Sequence, residues 1–278
     1  MPKERKKPKW IRILGILIIF YLVSTAITWI PVTETICLDL FPGEGAPVKI
    51  LLLTDLHSCY YGKDQEKLHA MIEKAAPDLV LIGGDYFDDE IPEDNAKITA
   101  QYLAANYPTY YVAGNHEFWS GHADAMKDEL RDLGITVLEG DCESITINGH
   151  EIDLCGVDDP DGTTSETEWR AQLDRAQEQT DKDHLRILLS HRPERVSVYE
   201  QYDFDLILTG HAHAGQILIP LANRGLYAPD QGPFAKYVNG TYTLSNGSTM
   251  IVGRGLARES FPLPRYFNHP ELVLIEID

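Results

Sequence analysis

Beyond residue 48, short apolar runs alternate with stretches of helical spacing. Residues 48–54, 78–82, 109–113, 186–190 and 206–209 are brief and rich in Val, Ile and Leu, so they read as buried strands. Residues 64–76 and 94–105, between the early runs, read as helices. Strands that alternate with helices argue for an α/β domain. Further strands are expected at 241–244, 249–252 and 271–277, and residues 34–40 are another candidate. Residues 31–278 contain no repeat, low-complexity tract or linker, and are expected to form one domain.

A hairpin is legible at 143–147 and 150–154, joined by Asn148-Gly149, a pair that tolerates the positive φ of a two-residue turn. In that register Ile147 faces His150, and Cys142 faces Cys155 in a non-hydrogen-bonded pair. Cα atoms about 4.5 Å apart there suit a disulfide. Two free thiols are the other reading. Ser144, Thr146, Glu151 and Asp153 share the cysteines' face and are expected in solvent, with Ile145, Ile147, Ile152 and Leu154 toward the core.

The N-terminal pattern is different. Residues 13–30 are uncharged and mostly apolar, and Trp10 and Trp29 bracket a helix of roughly 28 Å, the thickness of a bilayer core. Lys3, Arg5, Lys6, Lys7, Lys9 and Arg12 lie at its front, whereas residues 31–48 contain no Lys or Arg. The positive-inside rule then gives a basic cytoplasmic tail at 1–9, a transmembrane signal-anchor helix at 10–30 and an extracytoplasmic body. A buried core helix is one alternative. Cleavage after Ala26, where Ser24 and Ala26 are the small residues a signal peptidase needs, is another and would release the body.

Apolar residues make up 44% and charged residues 24%, which excludes collagen-like and wholly disordered chains. The net charge is −19, and residues 1–30 carry +5 of their own, leaving −24 for the rest. So acidic a body argues against nucleic acid as a partner. No obligate protein partner is indicated.

Each of the five apolar runs ends in residues that bind metals. They lead into Asp55-Leu56-His57, Gly84-Asp85-Tyr86-Phe87-Asp88, Gly114-Asn115-His116-Glu117, Ser190-His191 and Gly210-His211-Ala212-His213. In α/β sheets ligands bind outside the carboxyl ends of strands, so these residues are aimed at one place. His69, His122, His150, His184 and His269 fit no such pattern. In this order the motifs closely resemble the calcineurin-like metallophosphoesterases, over essentially all of 48–278. With Tyr60-Tyr61-Gly62, His191-Arg192-Pro193-Glu194 and Ala214-Gly215-Gln216 around them, they look like the bacterial membrane-anchored, phosphodiesterase-like branch.

The resemblance implies a four-layer α-β-β-α sandwich of two mixed β-sheets flanked by helices. It puts one divalent metal ion on Asp55, His57, Asp85 and His213 and a second on Asp85, Asn115, His191 and His211, with Asp85 bridging. Carboxylate and imidazole together suit Mn, Fe or Zn better than Ca or Mg. A metal-bridging hydroxide would then attack the phosphate in line. His116 is expected to protonate the leaving oxygen, with Asp88 holding its imidazole; a merely solvated Asp88 is the alternative.

Related protein phosphatases carry Arg directly after the second acid of Gly-Asp-x-x-Asp, a clamp for a dianion. This chain has Asp89. That points to diesters, and the nearby membrane segment to a lipid-linked or cell-envelope substrate. A phosphomonoesterase or pyrophosphatase, or a binding scaffold without turnover, are the rival readings. Residues 256–267 read as a packed loop or a lipid-touching one, and Tyr60 and Tyr61 as core residues or as stacking partners for a sugar or base.

Overall fold

The computed structural model describes residues 9–41, 45–219, 221–258 and 264–278 and, in the first helix, the side chains at 10–16, 18, 19 and 28. Its strands are β1 (Val32–Leu38), β2 (Val48–Leu53), β3 (Leu79–Gly83), β4 (Thr109–Val112), β5 (Thr136–Val137), β6 (Asp141–Ile147), β7 (His150–Gly156), β8 (Leu185–Leu189), β9 (Leu206–Thr209), β10 (Leu218–Ile219), β11 (Arg224–Ala228), β12 (Gly232–Ala235), β13 (Gly240–Thr243), β14 (Thr249–Val252) and β15 (Glu271–Ile277). The α-helices are α1 (Lys9–Thr28), α2 (Glu66–Ala75), α3 (Asp94–Asn106), α4 (Asn115–Trp119), α5 (Ala123–Leu133), α6 (Glu166–Glu178) and α7 (Val196–Tyr199).

Two mixed sheets, in the orders β1-β15-β2-β3-β4-β5 and β13-β14-β9-β8-β7-β6, lie face to face, and β10-β11-β12 form a small third sheet. The continuous apolar runs of β2, β3 and β4 follow from burial on both faces, which parallel strands between two layers require. Ile50, Leu52, Leu81 and Val112 of the first sheet meet Leu154, Ile187, Leu189 and Leu208 of the second. Leu68 and Ile72 of α2, Leu103 of α3 and Leu130 of α5 cover the first sheet's outer face. Trp169, Leu173 and Ala176 of α6 cover the second, packing with Leu188 and Ile207. The order of layers is α-β-β-α.

The β6–β7 hairpin has the register its turn dictates, from Ile147 opposite His150 out to Cys142 opposite Cys155, and the two cysteines are disulfide-bonded. One expectation fails here. Asp153 and Cys155 are buried rather than solvated, Cys155 among Trp169, Leu173 and Ala176 of α6 and Asp153 against Asp181 and His184. Asp153 accepts hydrogen bonds from Ser144 Oγ (2.5 Å) and the Asp181 amide (2.5 Å). Only Ser144, Thr146 and Glu151 face solvent.

Strand direction fixes what lies beside what. β15 runs antiparallel to β2, with Val273 opposite Leu52, and β1 runs parallel to β15, with Val32 opposite Glu271. Hence β1 begins at the edge where β2, β3 and β4 end, two strand spacings or about 10 Å from β2. The Val32 amide donates to Pro270 O (2.9 Å), and Arg254 joins Glu34 (2.8 Å) to Glu271. Among the described residues no helix is long and apolar enough to cross a membrane. The expected span at 10–30 overlaps α1, most of whose C-terminal half has side chains outside the described set, and residues 1–8 of the expected tail at 1–9 lie outside it as well. The transmembrane reading therefore rests on sequence alone.

Candidate metal centre

The loops after four strands bring six side chains together, Asp55 and His57 after β2, Asp85 after β3, His191 after β8, and His211 and His213 after β9, and Asn115 follows β4 at the start of α4, where the next amide, that of His116, meets Asp85 Oδ1. All seven are buried. Asp55, His57, Asp85 and His213 form one group of potential ligands, and Asp85, His191 and His211 another, so that Asp85 belongs to both. Asp85 Oδ2 is 3.1 Å from His191 Nε2 and 3.6 Å from His57 Nε2, and His213 Nε2 is 3.7 Å from Asp55 Oδ1.

The ligand loops are held in unusual backbone conformations. Asp55, His57, Asp85, His211 and His213 all have φ between 45° and 62°, the left-handed region that side chains with a Cβ avoid. Cross-loop hydrogen bonds keep them there, with Asp55 N donating to Gly84 O (3.0 Å), His57 N to Asp85 O (2.9 Å) and His211 N to Asp55 Oδ1 (2.9 Å). The last of these ties the two sheets together at the site.

Three of the four histidines show one nitrogen to the cluster because the other is engaged. His57 Nδ1 pairs with Asp88 Oδ2 (2.8 Å), His191 Nδ1 with Gly83 O (2.8 Å) and His211 Nε2 with Asp230 Oδ2 (3.0 Å). Such contacts orient an imidazole for a metal. Glu117 does comparable work on the backbone. Its Oε1 accepts from the amides of Tyr86 (2.7 Å) and Phe87 (3.0 Å), and its Oε2 from those of Asp85 (3.1 Å) and Gly114 (2.8 Å). One carboxylate thereby joins the loop carrying Asp85 to the start of α4, which carries Asn115.

The donor set fits divalent metal ions on grounds internal to the site. Asp55 Oδ2, His57 Nε2, Asp85 Oδ2 and Asn115 Oδ1 are buried and have no hydrogen-bond partner, an arrangement that costs free energy unless something binds them. The electrostatics agree. Burial disfavours the charged forms, yet neighbouring His191 and His57 hold Asp85 well below the usual carboxylate range, and Asp85 in turn draws His191 up to about 10. The cavity attracts positive charge.

His116 and Asp88 lie beside this centre, but their partners differ from those expected. Asp88 Oδ1 accepts from the amides of Glu90 (3.0 Å) and Ile91 (2.9 Å), and its Oδ2 is committed to His57, standing 3.7 Å from His116 Nδ1. His116 Nδ1 is instead 2.6 Å from Asp89 Oδ1. Arg192 is no free anion clamp either, since Asp159 (2.5 and 2.8 Å), Asp161 (3.2 Å) and Asp230 (2.5 Å) take up its guanidinium. Tyr61 is buried, with its hydroxyl on Leu256 O, and Tyr60 is exposed. In the 256–267 segment Leu256 and Arg265 are packed and Phe267 is exposed, while residues 259–263 lie outside the described set.

Sequence reasoning did not assign Glu117, Asp230 or Asp159. Glu117 had a signal, a Glu at the third position of a helix that can close on its N-cap. Asp230 had none, because the turn between β11 and β12 carries it to His211 from outside the motifs.

Buried carboxylates and imidazoles gathered at strand ends of a four-layer α/β scaffold form a candidate metal-binding centre. The comparisons agree: the chain belongs to the calcineurin-like phosphoesterase family, whose profile matches residues 48–215. It is similar to an uncharacterized metallophosphoesterase of Helicobacter pylori (strain J99 / ATCC 700824), 30% identical over 239 residues that cover 83% of this chain and 60% of that one. It thus spans well under two thirds of that relative's length. Phosphodiesterase YaeI of Escherichia coli (strain K12) is 30% identical over 191 residues, covering 66% of this chain and 67% of that one. Among solved structures, phosphopantetheinyl hydrolase from Mycobacterium tuberculosis aligns with a TM-score of 0.50 at 14% identity, over 75% of this chain and 89% of that one, a likeness of fold.

Proposed function

We propose that the chain is a dinuclear metal-dependent phosphodiesterase acting on a phosphodiester presented at a membrane surface. The observation that carries the dinuclear reading is the bridging position of Asp85 among buried ligand atoms without partners. Asp55, His57, Asp85 and His213 would hold one ion, and Asp85, Asn115, His191 and His211 the other, with Mn, Fe or Zn suited to the mixed oxygen and nitrogen donors. Such ions, when bound, supply Lewis-acid polarisation of the phosphoryl group and activation of water. The chain's own groups do the rest. Asp88 and Asp230 orient the imidazoles of His57 and His211, Glu117 fixes the loops, and His116, with Nδ1 engaged, offers Nε2 to protonate the leaving oxygen.

Two features support a diester. No Arg follows Asp88, and a relative covering two thirds of the chain is named a phosphodiesterase. The membrane side of the reading is supported by the apolar stretch at 13–30 and by the edge that β1 shares with the ligand loops, which would put the centre next to an outward-facing leaflet. The test compares bis-nitrophenyl phosphate with nitrophenyl phosphate on Mn-loaded protein, then phospholipids and lipid-linked sugars in vesicles, alongside cell fractionation. Faster hydrolysis of the monoester would favour a phosphomonoesterase. Full metal loading with no hydrolysis of any ester would favour a binding scaffold, and recovery in the soluble fraction would remove the anchor.

A further inference from the structure

We infer that Asp89, rather than the motif residue Asp88, is the positioning residue for the proton donor His116. This rests on the proposed role of His116, and the geometry of the three side chains carries it. Asp88 is turned away from His116, with Oδ2 on His57 Nδ1 at 2.8 Å and 3.7 Å from His116 Nδ1, and Oδ1 on two backbone amides. Asp89, the next residue, turns the other way and places Oδ1 2.6 Å from His116 Nδ1.

The remaining contacts of the His116 ring leave a single free direction. The ring of His57 meets it edge-on with centroids 4.4 Å apart, and the indole of Trp119 lies against it at 4.8 Å. That indole is itself fixed, its Nε1 donating to Asp161 Oδ2 (2.9 Å). The His116 amide donates to Asp85 Oδ1 (2.9 Å), anchoring the backbone beneath the ring to the residue shared by both ligand groups. With Nδ1 held by Asp89, Nε2 is the nitrogen open to a substrate.

The step this serves is balanced. Water's oxygen forms a bond to phosphorus, the bond from phosphorus to the departing alkoxide oxygen breaks, that oxygen takes the proton from His116 Nε2, and the proton lost by water passes to solvent. Asp89 touches none of these atoms and acts only through the imidazole. Its position also changes the meaning of its charge. In place of an acid facing the substrate, it is one turned onto a histidine, so the two neighbouring acids divide the work, Asp88 serving the metal site and Asp89 the leaving group.

The experiment uses the full-length, metal-loaded protein and two diesters, one with an alkyl and one with a nitrophenyl leaving group. Asp89→Asn is expected to lower kcat on the alkyl diester about 10- to 100-fold, part of the 10²- to 10⁴-fold that general acid catalysis contributes, with KM and bound metal unchanged. The nitrophenyl diester, whose leaving group departs without a proton, should change less than about 3-fold. Asp89→Glu should restore part of the loss. His116→Ala should show the same dependence on leaving group, and adding Asp89→Asn to it should cost nothing more. Asp88→Asn should instead weaken metal binding. If His116→Ala shows the pattern and Asp89→Asn does not, Asp89 is not the positioning residue and the reading of His116 stands. If His116→Ala leaves the alkyl diester at the wild-type rate, that reading falls and this inference with it.

Discussion

Glu117→Gln is the sharpest single test of how the centre is assembled. At pH 8, above the value of about 7 to which burial and then Asp85 push its carboxyl, Glu117 carries the charge that four amides share. Glutamine keeps one acceptor oxygen and turns an NH2 group toward the other two amides. At least two charge-assisted hydrogen bonds are lost, each worth about 1.5–3 kcal/mol. Glutamine also escapes the burial and repulsion that raise the wild-type pKa, so the net loss belongs at the low end of that sum, about 3 kcal/mol. In a domain of this size that is a fall of roughly 6–12 °C in Tm, read by calorimetry. The loops carrying Asp85 and Asn115 also lose their shared support, so metal affinity should drop about 10- to 100-fold in a competition titration with a chelating dye. A variant that melts with wild type and binds metal equally well would show that the two loops hold their positions without Glu117.

Other outcomes are equally open to measurement. Chelation should abolish turnover and remove about 2.7 kcal/mol of stability if metal had been present at 100 times its Kd; an unchanged Tm and rate would contradict metal binding at the cluster. Gly114→Ala should strip metal from the protein, since a Cβ there would lie 2.3 Å from Asp85 Oδ1, and wild-type metal content by elemental analysis would contradict the close packing. Reducing the Cys142–Cys155 bond, which spans 13 residues, should cost about 3 kcal/mol on the loop-entropy argument. Coincident urea curves for oxidised and reduced protein, with thiol titration confirming reduction, would overturn that figure.

The parts of the structure that sequence revealed are those set by local pattern. The runs that became β2, β3, β4, β8 and β9 are mostly apolar, with Lys49 and Arg186 only at the starts of β2 and β8, because both faces are covered, and that property can be seen one strand at a time. The Asn148-Gly149 turn fixed the register of β6 and β7, and with it the cysteine pairing. What could not be read depends on distant partners. The burial of Asp153 involves the distant Asp181 and His184, and the engagement of Arg192 requires Asp159 and Asp161 from one loop and Asp230 from another. The choice of Asp89 over Asp88 at His116 is rotational, decided by which oxygen His57 takes first. Nor does anything in Asp55-Leu56-His57 announce left-handed backbone at both ends, a conformation held by hydrogen bonds from the next loop.

The place of β15 between β1 and β2 has a consequence for the order of folding. A chain made from its N-terminus holds β1 and β2 before β15, yet β1 pairs only with β15, and β2, which pairs with β3 on one side, meets β15 on the other. Until then each presents an open edge, and the loop bearing Asp55 lacks the cover of Gly255 and Leu256, whose amide donates to Asp55 O (3.1 Å). Pairings this distant in sequence are slow to close. The loop that starts the metal centre is therefore translated well before the strand that locks it, and metal capture should coincide with the final step of folding.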